Sequence, residues 1–596
     1  MTKNPFKKIF NLSAAYYLTV ALGLGVLLSF SFWIHHVQAL DLFFETHFNH
    51  IAFIEKVATS RVKIADFFSQ PPFGEHYYPG YNFILYLNVV FFNLNMALDQ
   101  YISFLNRAFF AIFLFAVIAR FSKFKARGLL ALIIAGITLS PTVNPGSSMS
   151  LCAALGVSLF AISLHGFLGA TKVSEKAAPP LIIACLVGIT VSTTTLLGAY
   201  SLGIFGSAVG LILVYRLECL SNRRLGVLSI SLLAMPIIYA ILLLSVDPSE
   251  QRLSLDFARL LEFELSTNTP ANLYDLNALL VYVEFVFAAL GASTVGKATI
   301  EAGGLSYTAI CIIGAFTLTV AVFTLIHCVT TGRQTLLDNP LHVGFFCLLC
   351  YSLFICLAIA WSRSHINIQG GTQQHYNAHT ILTPIAIAYL NWHRLLHEKL
   401  LQRFIGFGVF GIFGALVLTG YFHDFRKAPH VAGWKAQFLP QAIYISMGDR
   451  FVNDRSDPFQ TMLSFYSLDE TRKHLKTLER LNLWIYENNH VSLGGLTSDG
   501  WLLSTAKATV LCPNDSSRLE FEMHRPSQYG KTELTVHTQL ASFITPVRDG
   551  DIVSIELNES RTVIIDPTDQ NITTYFQNEP DVRKLVANIQ DVKCVR

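Results

Sequence analysis

Two carboxylates and a small set of cationic side chains stand out in a chain of which only 14% is charged. Asp41 and Glu75 are the acids; Arg107, Arg363, His365 and His375 are the candidates to meet an anion. Glu75 lies in "PPFGEHYYPGYN" (71–82), next to His76 and close to Tyr77, Tyr78 and Tyr81. A carboxylate held in a site takes a proton from a reacting hydroxyl. Guanidinium and imidazolium groups suit a phosphate by charge and donor geometry. In "WSRSHINIQGGTQQHYN" (361–377), Gly370 and Gly371 would let backbone approach a ligand closely.

These groups are separated by long apolar stretches, so the elements that position them must be membrane helices. The chain has 596 residues, 52% hydrophobic, with a mean hydropathy of +0.46. Repeated apolar runs near 20 residues are what a bilayer-spanning helix requires. The class is a polytopic α-helical membrane protein. A net charge of +3 excludes nucleic acid as a partner, because Lys and Arg sit in short clusters between apolar runs. The run 14–34 follows Lys3, Lys7 and Lys8 but lacks a small-residue cleavage site, and is read as a retained first helix.

Thirteen apolar segments are visible by hydropathy. If all crossed, the cluster Arg120, Lys123, Lys125 and Arg127 would lie outside, against the positive-inside rule. That conflict disappears if 81–97, with four asparagines, lies in the interface, and the same conflict at Arg394, Lys399 and Arg403 disappears if 274–294, with Asp275 and Glu284, is interfacial or re-entrant. About 11 crossings remain, with the amino terminus inside and the carboxyl terminus outside. Residues 1–430 form the membrane domain, with outer loops at 35–100, 247–304 and 362–376.

The tail has the composition of a soluble α+β domain. Residues 431–490 read as a helical adaptor, with Leu468, Leu475, Leu478 and Leu481 at helical spacing and Ser467 as the N-cap. Residues 491–596 show short strand-like runs, "KATVLC", "RLEFEMH", "TELTVHT", "DIVSIEL" and "RTVII", between turn signals, as in a β-sandwich of jelly-roll type. Cys512 and Cys594 are expected to pair across that sandwich in an oxidising compartment. The alternative is two unpaired core thiols. The other eight cysteines lie among apolar segments, where a thiol acts as a small hydrophobe.

The architecture, together with Asp41 in "ALDLFFETHF", the segment "PPFGEHYYPGYNFILYL" and Arg107 in "FLNRAFF", resembles the GT-C membrane glycosyltransferases. The chain lacks two motifs of that group, an adjacent Asp-Glu pair after the first helix and a Lys-Pro-Pro-Leu. It is more similar to uncharacterised bacterial multipass proteins that carry Asn-Glu-His-Arg here, an Arg-Tyr before a late helix and a jelly-roll tail. The matching residues are Glu75-His76, His375-Tyr376, Gly500-Trp501 and Asp581-Val582-Arg583; both membrane motifs lack their arginine.

The resemblance implies an enzyme of the bacterial inner membrane with its tail in the periplasm. Such an enzyme transfers a sugar from a polyprenyl phosphate to a cell-envelope glycan or lipid such as lipopolysaccharide. Asp41 or Glu75 would be the catalytic carboxylate, and His76, Tyr78, Arg107, Arg363, His365, His375 and Tyr376 would bind substrate. Some relatives use a divalent metal; no residue spacing here demands one. Bland roles stand beside each assignment. Asp41 could cap an interfacial helix, with Glu45 or Asp66 in its place, and Glu75 could pair with Arg107. His76 could be a packing residue, Arg363 could anchor a helix to lipid headgroups, and the tyrosines could form an interfacial belt. The rival functions are a glycolipid transporter or flippase, and a non-catalytic membrane scaffold whose sandwich binds sugars.

Overall fold

A computed structural model defines the fold. It describes residues 5–39, 45–68, 79–122, 127–140, 148–171, 178–195, 202–216, 222–244, 276–295, 306–330, 332–363, 374–395, 410–411, 413–423, 425–426, 468–484, 492–494, 501–503, 507–513, 516–525, 532–538, 540–558, 561–567 and 585–595. The chain forms two compact units that are not divided at one point. The first takes 1–37, 64–82 and 99–428; the second takes 38–63, 83–98 and 429–596.

The first unit is helical. Its elements include α1 (Pro5–Gln38), α3 (Pro79–Phe92), which begins here, α4 (Ala97–Phe121), α5 (Arg127–Leu139), α6 (Ser148–Ala170), α7 (Ala178–Thr195), α8 (Leu202–Tyr215) and α9 (Arg223–Leu244). They continue with α10 (Leu276–Val295), α11 (Tyr307–Val329), the short α12 (Arg333–Leu337), α13 (Pro340–Arg363), α14 (Gln374–Thr380), α15 (Leu382–Leu395) and α16 (Phe413–His423). In lipid the backbone must satisfy its own hydrogen bonds, so apolar runs become helices.

Among the described residues, five helices are long and apolar enough to cross a membrane: Leu18–Val37 within α1, α4, Leu151–Ala170 within α6, α11 and Pro340–Trp361 within α13. Six more apolar helices have 10–17 residues, or about 15–25 Å against a core of ~30 Å.

The segment at 274–294 differs from an interfacial one. α10 is an unbroken helix of 20 residues, and Phe285, Val286 and Ala288 to Ala292 with Val295 are buried or lie among buried neighbours as it packs on α11, α13 and α14. Gly291 and Gly314 bring α10 and α11 together: a Cβ on Gly314 would fall on the carbonyl of Phe287, and one on Gly291 on that of Ile310. Conserving this approach requires glycine at both positions, since backbone atoms cannot step aside.

In the second unit, α2 (Ile51–Ala58) packs against α17 (Leu468–Arg480). Thr471, Leu475 and Leu478 form the buried stripe of α17, with Leu483 and Trp484 completing it beyond the helix end. Ser467 lies outside the described residues. The Trp484 amide donates to the Asn93 carbonyl at 3.0 Å, and the Asn93 side-chain amide to the Asn482 carbonyl at 3.4 Å. Glu55 and Arg480 form an exposed ion pair, which contributes roughly 0–1 kcal/mol.

The Phe48 ring stacks on His474 at 6.2 Å. Burial lowers the His474 pKa from its ordinary 6.5, Lys473 adds to that, and Glu470 opposes it. The folded state therefore prefers the neutral ring, and this contribution is present above the unfolded value. As pH falls below 6.5 the unfolded chain takes the proton first, and stability is lost. The melting temperature of this unit should fall between pH 7 and pH 5 more steeply than in His474→Gln. Parallel pH profiles of the two proteins would remove the histidine from the account.

The tail is a β-sandwich. The strands are β1 (Ser492–Gly494), β2 (Trp501–Leu503), β3 (Ala508–Leu511), β4 (Arg518–His524), β5 (Thr532–His537), β6 (Ser542–Val547), β7 (Asp551–Glu556), β8 (Thr562–Pro567) and β9 (Leu585–Val595). They form two sheets, β1-β3-β8-β5-β6 and β2-β9-β4-β7, and every pairing is antiparallel. Strands β2 to β9 follow the order of an eight-stranded jelly roll, with β1 added beside β3. Alternation builds the core: Leu519, Phe521 and Met523 of β4 point inward, against Leu534, Val536, Val563 and Ile565 of the other sheet. Cys512, just after β3, is disulfide-bonded to Cys594 in β9, with Cα atoms 5.6 Å apart. The bond ties the two sheets together.

Candidate functional site

Asp41, Glu75, His76, Tyr78 and His365 lie outside the described residues. Arg363 is the last residue of α13 and His375 lies in α14, but their side chains are outside the described set as well. Arg107 and Tyr376 are described, and both are buried.

Arg107 lies on one stripe of α4 with Asp99 and Ser103, at i, i+4 and i+8. Their relative exposures are 2% for Asp99, 0% for Ser103 and 5% for Arg107, rare values for such side chains in a bundle otherwise apolar. The Arg107 guanidinium donates to the carbonyls of Thr138, at 3.1 Å, and Ser140. It thus caps the carboxyl end of α5, a helix of 13 residues, or about 20 Å, too short to reach across the core. The same device recurs elsewhere: Arg127 donates to carbonyls at the end of α4, Arg224 at the end of α6 and Arg333 to Val214 near the end of α8.

Asp99 occupies the first turn of α4, where the helix dipole favours a negative charge. The Tyr81 hydroxyl donates to its Oδ2 at 2.8 Å. Tyr81 is 1% exposed, so it is a buried partner of a carboxylate and not a member of an interfacial belt. Its neighbour Asn82 donates to the Phe67 carbonyl at 3.0 Å. Two hydroxyls on this stripe and beside it, Ser103 Oγ and Ser140 Oγ, are buried without a hydrogen-bond partner among the described residues. The pairing of Tyr81 with Asp99 carried no sequence signal, because Asp99 stands in "ALDQ" as an ordinary flanking acid.

Tyr376 is 4% exposed and packs 6.2 Å from the Phe285 ring of α10. It belongs to the helix break at Ile381, where α14 ends and α15 begins. The break frees backbone groups, and Ser352 of α13 takes up one of them by donating to the His379 carbonyl at 3.0 Å. Tyr351 and His379 share a hydrogen bond at 3.0 Å, and Ser352 and Thr383 another at 2.7 Å. Tyr376 is thus buried beside a polar helix junction. Glu284 is half-buried on α10, with its carbonyl 3.9 Å from the Cys311 thiol. Among the described residues no group of three or more His, Cys, Asp or Glu could hold a metal ion.

No protein-family model matches the chain, and no curated protein matches it.

Proposed function

We propose that the protein is a membrane glycosyltransferase of GT-C type. It takes a sugar from a polyprenyl phosphate and transfers it, with inversion, to a cell-envelope glycan or lipid on the periplasmic side of a bacterial inner membrane. The observation that carries this reading is Arg107. Fourteen residues separate it from Phe121 at the far end of α4, or about 21 Å of helix. In a topology with Phe121 at the cytoplasmic edge, Arg107 lies at the depth of the outer leaflet, where an intramembrane charge marks a functional site by default. There it can meet a lipid phosphate entering sideways.

Two further features support the reading. The face of α1 that carries Leu18, Leu22, Gly25, Val26 and Phe30 is open and apolar, and suits contact with an isoprenoid chain. The packing of α2 on α17 agrees with a first loop and a tail that share one side of the membrane.

The test is transfer by the full chain reconstituted in vesicles with a panel of polyprenyl phosphate monosaccharides and envelope extract as acceptor. The expected result is cleavage of the donor, with polyprenyl phosphate released as sugar appears in the extract. Passage of intact donor to the opposite leaflet would instead identify a transporter. Donor bound but never cleaved would identify a scaffold.

A further inference from the structure

We infer that β6 is the seam of a homodimer, in which the open edges of two tails pair antiparallel about a two-fold axis at Ile544 and the two five-stranded sheets become one. The inference concerns assembly and is independent of the transfer reaction. β6 ends its sheet, hydrogen-bonded to β5 alone among the described strands. Ile544 is 60% exposed, Phe543 39%, and Leu540 in the turn before them 70%. An edge strand is a template for another chain unless charge, a bulge or proline blunts it. From Gln539 to Val547 the chain carries no charge, and the pairing of β6 with β5 runs in register without a bulge. Pro546 is the blunting device that remains.

The direction of the backbone groups says what fits. The Thr538 amide donates to the Ala541 carbonyl at 2.8 Å, and hydrogen-bonded pairs alternate along an antiparallel ladder. Counted from that bond, Phe543 and Thr545 direct their backbone groups to Val536 and Leu534 of β5, while Ser542, Ile544 and Pro546 turn theirs to the open edge. Pro546 agrees with this phase, since it has no N–H to offer β5. A two-fold axis at Ile544 sets that residue opposite its own copy, where the two exchange a pair of N–H to carbonyl bonds. Each Ser542 amide then meets the Pro546 carbonyl of the other chain. The missing proline donor therefore falls where the pairing ends. In this register Phe543 lies opposite Thr545 and Leu540 opposite Arg548, so no like charges meet. The edge is complementary to itself in charge and in hydrogen bonding. The seam is short for a dimer formed free in solution, but two tails anchored in one membrane meet at a high effective concentration.

The experiment counts copies of the full chain in lipid vesicles by single-molecule photobleaching over a range of protein densities. Wild type should form pairs. Ile544→Lys places two like charges opposite each other and should raise the density needed for pairing at least about tenfold. The side chain is exposed, so the melting temperature of this variant should match wild type. The register is read by oxidative cross-linking in the same vesicles. Ile544→Cys should cross-link to its own copy, because the Cα atoms of a hydrogen-bonded pair lie about 5.5 Å apart, within the reach of a disulfide. Phe543→Cys, two positions out of register with its copy, should not. Wild type that stays monomeric at every density overturns the inference, as do pairs that survive Ile544→Lys. Cross-linking of Phe543→Cys as complete as that of Ile544→Cys overturns it as well.

Discussion

Asp41→Asn and Glu75→Gln proteins are expected to fold as wild type, and one of them to lose transfer by roughly 10²–10⁴-fold, the usual contribution of a positioned base. That loss is about 3–5 kcal/mol of transition-state stabilisation. The two carboxylates differ in how they should fail. Removing the base lowers kcat with KM unchanged, because the acceptor hydroxyl is still bound but keeps its proton. Removing an orienting carboxylate raises KM as well. The acid limb of the rate profile should belong to whichever residue lowers kcat alone. If both variants transfer sugar at the wild-type rate, neither is the base and the assignment by resemblance fails.

Cys512→Ser together with Cys594→Ser is expected to destabilise the sandwich by about 4 kcal/mol. The two cysteines are 82 residues apart in sequence, and closing so long a loop removes much entropy from the unfolded chain. The sulfurs also join opposite sheets, so the loss should appear as earlier separation of the sandwich in thermal or denaturant melts. The bond needs an oxidising compartment. In intact cells, these two cysteines should resist thiol labelling until a reductant is added from outside. Immediate labelling of both in untreated cells would place the tail on the wrong side.

The tail was readable in sequence where local pattern and local structure coincide. "RLEFEMH" alternates because β4 has one face on the core and one turned away. "SFITPV" gives no such pattern, because β6 is an edge strand exposed on both faces for most of its length, with Pro546 in it. Membrane helices were legible as apolar runs, but which of them enclose the others was not. Most residues of α10 are apolar enough for lipid or for protein, and its glycine contact with α11 helps tell the two apart.

The site divides in the same way. Arg107 stood out through the resemblance, as an arginine early in its helix, and its capping of α5 gives it a local structural role as well. Asp99 was not visible: its significance comes from Tyr81, 18 residues earlier, and from a stripe seen only once α4 is built. The neighbours of Tyr376 were not visible either, since its packing against the Phe285 ring of α10 joins residues 91 positions apart.

Strand β9 lies between β2 and β4, inside its sheet and not at its margin. Until residues 585–595 are docked, β2 has no neighbour and the four-stranded layer cannot close. Closure of this layer is thus the insertion of one strand between two others, and loss of β9 would leave β2 and β4 with open edges.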